Sequence, residues 1–155
     1  MPRARPSAKK LPVYLDSGIF REIPNFLQET AFIDRLHGII PGWEMPRVSK
    51  DTPSNRLGLK GDFFGEVLHQ LRKEIRYADY VKLNMHLTGS DDLRDRKAIS
   101  RLATAYLKVL FPNLQLTDEE FTENCVCPAV ELRQQVRDEL HKMDAEYAKV
   151  KIEVG

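Results

Sequence analysis

The chain has 155 residues, 42% of them hydrophobic and 30% charged, which suits one domain with tails and a core of modest size. A formal net charge of +1 gives no global field for a nucleic acid or a membrane surface, so any anion site has to be local. No apolar run reaches the length of a membrane span, and Cys125 and Cys127, one residue apart, are badly placed for a bridge and read as reduced thiols of a cytoplasmic protein.

Residues 1–10, MPRARPSAKK, are basic and free of large apolar side chains, which predicts a disordered tail. Val13–Leu15, Ile19-Phe20 and Ile23 to Leu27 form short apolar clusters around Pro24, which opens a short helix but does not sit inside one. Thr30 to Ile40 reads as a helix with Thr30 as N-cap and Gly38 as a left-handed C-terminal cap. Phe32, Ile33, Leu36 and Ile40 share its inner face, which turns Asp34 and Arg35 outward. Arg35 is then either a surface ion-pair partner of Asp34 or Glu29, or an arginine offered to another molecule's anion. His37 reads as structural, and Trp43 as a core or interface anchor.

Residues 46–58 read as a loop. Lys60 to Arg76 predicts a second helix, with Phe63, Phe64, Val67, Leu68, Leu71 and Ile75 as its apolar stripe. Tyr80 to Leu87 alternates and predicts a short strand, followed by a turn at Gly89 to Asp92. Leu93 to Pro112 is the cleanest helix in the sequence. Ile99, Leu102, Ala103, Tyr106 and Leu110 recur at helical steps, Asp91 or Asp92 caps the start and Pro112 ends it. Arg94, Lys97, Arg101 and Lys108 lie opposite, with no acid on their stripe. They are either a solvated basic face or guanidinium and ammonium groups set out for a phosphate. Thr117 and Glu120 form a capping box for a short helix that Pro128 interrupts, and Ala129 to Tyr147 is a third long helix. The closing KVKIEVG alternates as a strand without a partner after it, as if another domain began there.

Several chemistries are missing. There is no Walker-type phosphate loop, no Gly-x-Ser-x-Gly elbow and no His-Glu-x-x-His. The four histidines are scattered, Ser90 and Ser100 sit at or inside a helix start, and the Cys-x-Cys pair lacks further ligands at zinc spacing. No metal site and no self-contained active site is expected, only arginines presented from helices in a mostly α chain.

Two stretches carry a family likeness. TAFIDRLHGIIPGWEMP, residues 30–46, and the run from Arg94 through Ala98, Ile99 and Arg101 to Pro112 resemble consecutive motifs of the Lon-related AAA+ proteins of bacterial BREX phage-defence systems, the BrxL family. The capping box and the charged helix follow in that family's order. The resemblance implies a helical bundle of the AAA+ lid type with one or two short strands. It divides the chain into a tail (1–10), the end of an AAA+ core-like segment (11–48), a lid (49–149) and the start of a following domain (150–155). It implies Arg35 as an arginine finger reaching a neighbouring subunit's triphosphate, and Arg94 as a sensor-2 arginine with Lys97 and Arg101 beside it. Both Walker motifs and the protease Ser-Lys dyad of the family are absent, so the chain alone is expected neither to hydrolyse ATP nor to cut peptides. ATP with magnesium belongs to the parent protein, and the expected partners are the AAA+ core and neighbouring subunits of a homo-oligomeric ring. A stand-alone helical module that binds DNA or another protein is the alternative, with Arg94, Lys97, Arg101 and Lys108 on phosphates.

Overall fold

The computed structural model describes residues 16–50, 53 and 56–155. The basic tail, the Val13–Leu15 cluster, and Asp51, Thr52, Ser54 and Asn55 of the expected loop lie outside them. The fold is mostly α. It is assembled on α4, Leu93–Leu110, capped by Asp92, whose carboxylate accepts the Arg94 N–H at 2.8 Å. Two other long helices flank it: α3, Arg76–Asn84, and α6, Cys127–Met143. The chain before them contributes 3-10 turns at Ile19–Glu22, Asn25–Leu27 and Gly42–Glu44, the single-turn α1 at Thr30–Ile33, and α2, Gly61–Leu71.

The main core is apolar. Ile99, Ala103 and Leu107 of α4 pack on Tyr77 and Val81 of α3 and on Phe121, Cys125, Val126 and Ala129. Phe121 ends α5, Asp118–Phe121, which opens with the expected capping box: the Thr117 hydroxyl accepts the Glu120 N–H at 3.1 Å, and the Glu120 carboxylate accepts the Thr117 N–H at 2.8 Å. A smaller cluster of Phe20, Ile33, Val136 and Leu140 fastens the first segment to the second half of α6.

The structure corrects several expectations. Pro128 does not interrupt a helix. It sits in the first turn of α6, where a missing N–H costs nothing, and a π-helical turn at Thr122–Val126 joins α5 to α6. Helix α6 ends at Met143, short of Tyr147. The Lys60–Arg76 helix divides at Leu71. Leu71 of its apolar stripe packs half-buried on the main core, while the stretch from Phe63 to Leu68 stays uncovered, with Phe63 59% exposed. Tyr80 to Asn84 belongs to α3 and not to a strand. Val81 is buried and Leu83 exposed, which an inward-facing alternation cannot give. Leu87–Thr88 forms the strand (β1), which pairs antiparallel with Glu153–Val154 (β2), so the closing strand has a partner upstream. Gly89 makes this possible: it takes the left-handed φ of +84, and a Cβ there would collide with the Lys151 carbonyl oxygen. Leu110, expected inside, is half exposed at the end of α4.

The helix expected from Thr30 to Ile40 is one turn long. Glu29, not Thr30, is its N-cap; Ile40 is exposed; and Gly38 is not left-handed. Gly38 is needed for closeness instead, because a Cβ there would lie 2.6 Å from that of Leu132 on α6. Asp34, at the C-cap of α1 and still in helical backbone, lies on the inner side beside Ile33, contrary to expectation, and is 2% exposed. No helix among the described residues is long and apolar enough to cross a membrane.

Candidate functional site

Between the two apolar clusters runs a seam of buried charge. Arg133, from the middle of α6, is fully buried. Its Nε donates to Asp95 Oδ1 at 2.7 Å and its Nη2 to Asp34 Oδ1 at 2.7 Å. Its Nη1 donates to the backbone carbonyls of Asp34 at 3.0 Å and Leu36 at 2.6 Å. These two carbonyls flank Arg35, so Arg133 fixes the backbone from which Arg35 projects. Asp95 is completed by the Ser90 hydroxyl, which donates to Oδ2 at 2.7 Å, and by Arg137, whose Nε lies 3.5 Å from the same oxygen. The other oxygen of Asp34 accepts a hydrogen bond from Arg94 Nη1. Burial pushes the Asp34 carboxyl up, but the hydrogen bonds and charges of Arg94 and Arg133 outweigh it and hold the group below the usual carboxylate range.

Outside this seam lies a hollow of about 270 Å³ lined by Asp34, Arg35, His37, Arg94, Lys97 and Arg101, with Ala98. It unites every cation that the resemblance singled out. Arg94, Lys97 and Arg101 come from one side of α4, at steps of three and four. Arg35 comes from the end of α1, is exposed, and donates through Nη1 to the Ala31 carbonyl, not to Asp34 or Glu29. Arg101 Nη1 lies 3.1 Å from His37 Nε2. An arginine can only donate, so that nitrogen accepts and the ring is neutral. Burial, then the charges of Arg101 and Arg133, lower the His37 pKa and favour the same state.

Chemically the hollow offers cationic donors and no nucleophile. Its one carboxylate is spent on guanidinium groups. Cys125 is packed in the core, where burial pushes its thiol up to about 11. Among the described residues no three His, Cys, Asp or Glu side chains are placed to hold a metal. Lys108 does not join the site: its Nζ donates to the Leu71 carbonyl at 2.6 Å, closing the end of α2. A second hollow of about 480 Å³ continues the surface past Lys97 and Arg101 to Lys82 and Arg96, with Met85, Leu87 and Leu93 among its lining.

Asp34, Asp95, Ser90 and Arg133 were not singled out from the sequence, yet they position the site. A signal was present. Asp95 stands four residues before Ile99, and Arg133 three before Val136 and seven before Leu140, so each occupies an apolar stripe. Opposite charges on two buried stripes are an ion pair waiting to be matched.

Over residues 8–153 the chain matches the family described as Lon-like protease BrxL-like, ATPase domain. It is 31% identical over 127 residues to the Lon-like protease BrxL of Escherichia coli O9:H4 (strain HS), an alignment covering 82% of this chain and 18% of that protein. It is 28% identical over 128 residues to the Lon-like protease BrxL of Bacillus cereus (strain H3081.97), covering 82% of this chain and 19% of that protein. The chain thus spans about a fifth of the length of these curated relatives.

Proposed function

Because this chain belongs to the family of BrxL-like ATPase domains, we propose that it is a phosphate-reading part of an ATPase ring, working in BREX phage defence in the cytoplasm. In this reading residues 11–48 close an ATPase core and residues 49–149 form its lid. Arg35 is offered to the triphosphate of a neighbouring subunit. Arg94, with Lys97 and Arg101, lines the same hollow as Arg35 and reads the phosphates of that same triphosphate. The observation that carries the reading is the convergence of these four cations, from two separate elements, on one hollow without a nucleophile.

The donor set fits phosphate oxygens. Phosphoryl transfer gathers negative charge on the equatorial and leaving oxygens, and planar guanidinium forks are suited to neutralise it. The set does not fit magnesium, since both oxygens of Asp34 already accept from arginines. Magnesium, the Walker loop and any peptide-cutting dyad are assigned to other parts of the assembly. The chain's own work is to bind and orient.

In an assembled ATPase containing this segment, Arg35→Ala is expected to lower ATP turnover by about 10³-fold or more while sparing nucleotide binding. Arg94→Ala is expected to weaken nucleotide binding. Wild-type turnover by the Arg35 variant would remove the finger role. The alternative reading, a DNA-backbone contact, gains Lys82 and Arg96 from the adjoining hollow but loses Lys108. It predicts DNA binding by this chain that falls steeply with salt.

A further inference from the structure

Asp34 has two kinds of partner. Its Oδ1 meets Arg133, which is fully buried and anchored by three further hydrogen bonds to Asp95 and to the carbonyls of Asp34 and Leu36. Its Oδ2 meets Arg94, whose side chain is 52% exposed and which opens onto the hollow. Asp34, Asp92 and Asp95 match Arg94, Arg133 and Arg137 in number, but Arg133 and Arg137 are buried and Arg94 is the half-exposed member, so it is the one free to leave. Removing a buried partner would leave an uncompensated charge, whereas a half-exposed guanidinium moves away at little cost. Beside Arg94 in the same hollow, Arg35 and Lys97 make no ion pair among the described residues.

From this geometry we infer that Asp34 is a built-in competitor for the site: it holds Arg94 across the hollow until an incoming polyphosphate draws the guanidinium off, while Arg133 keeps the carboxylate from following. Asp34 is thus a positioning residue that stores Arg94 in a defined place and sets how strong an anion must be to engage it. A single phosphate or a chloride ion competes poorly, while a polyphosphate gains Lys97, Arg101 and Arg35 as it displaces the carboxylate. The inference rests on the anion-binding reading of the hollow and adds the order of events there.

The test uses the 155-residue chain and inorganic tripolyphosphate. Binding by calorimetry is expected to tighten roughly two- to fivefold in Asp34→Asn, the size of an exposed ion pair, even though thermal stability falls. A purely structural role would lower stability and leave binding equal or weaker, which would overturn the inference. Arg94→Gln is expected to weaken binding, and adding Asp34→Asn to that variant is expected to bring no further gain. A gain that persists without Arg94 would mean general electrostatics and would also overturn it. Wild-type protein supplies a measurement free of folding effects. The NMR titration midpoint of the Asp34 carboxyl is expected to rise under saturating tripolyphosphate, because one of its two cations has left. A bound polyphosphate with an unmoved midpoint contradicts the inference, as does the absence of any binding. The outcome is separable from the ring reading. Tightening in Asp34→Asn with full turnover in the Arg35→Ala ring would remove only the nucleotide role. Lost turnover with no tightening would remove only the competitor.

Discussion

The two ends of α4 rest on different physics. Toward its C-terminus Ala103 and Leu107 are buried among Tyr77, Val81, Phe121 and Val126, an apolar contact that any side chains of suitable volume could satisfy. Toward its N-terminus the buried residue is Asp95, fixed by Arg133 and Ser90, and the exposed ones are the cations of the hollow. Apolar packing is non-directional and stabilises in proportion to area. A buried ion pair stabilises little in net terms but tolerates only one arrangement of its partners. The comparison assigns stability to one end of the helix and a fixed geometry for arginines to the other.

The largest expected effect breaks the ionic end. Arg133→Met should cost about 3–5 kcal/mol, because it leaves Asp34 and Asp95 buried without their shared cation. Thermal melting should fall on the order of 10 °C, and tripolyphosphate binding should be lost with it. Leu107→Ala at the apolar end should cost about 2–4 kcal/mol by urea denaturation. It should leave anion binding unchanged in the folded population, and a loss of binding there would mean that the two ends are not independent. Thr117→Ala removes the capping box and should cost about 1 kcal/mol with no effect on the hollow. The smallest effect is a pH dependence. His37 has a lowered pKa in the folded chain, so the unfolded chain binds the proton more readily. Its contribution to stability is present above its ordinary value of 6.5 and is lost as pH falls below it. His37→Gln should flatten the denaturation midpoint measured between about pH 7 and pH 5.

The apolar end was legible in the sequence and the ionic end was not, for a physical reason. Periodicity reports burial of apolar residues, and Ile99 and Ala103, like Val136 and Leu140, carry it plainly, whereas Leu107, off the stripe read from the sequence, is buried where Leu110 was expected. A charged residue on the same stripe reads as an exception until its partner is known, and Asp95 and Arg133 are 38 residues apart in sequence. The single turn of α1 hid Asp34 in the same way. The expected inner face ran through Phe32, whereas Phe32 is exposed and Asp34, still in helical backbone, lies inward beside Ile33 and meets Arg133. The cations themselves were found, since Arg35, Arg94, Lys97 and Arg101 line one hollow, whereas Lys108, chosen by the same stripe, is used by the end of α2. Helix α2 marks the limit of such reading. Its stripe says that a face is apolar and does not say what covers it.

The most direct measurement follows the arginine Nε and lysine Nζ signals of the wild-type chain by NMR during a tripolyphosphate titration. Saturable shifts confined to Arg35, Arg94, Lys97 and Arg101 are expected, with Lys108 silent as an internal control. Shifts spread evenly over the basic side chains, or strongest at Lys108, would contradict it.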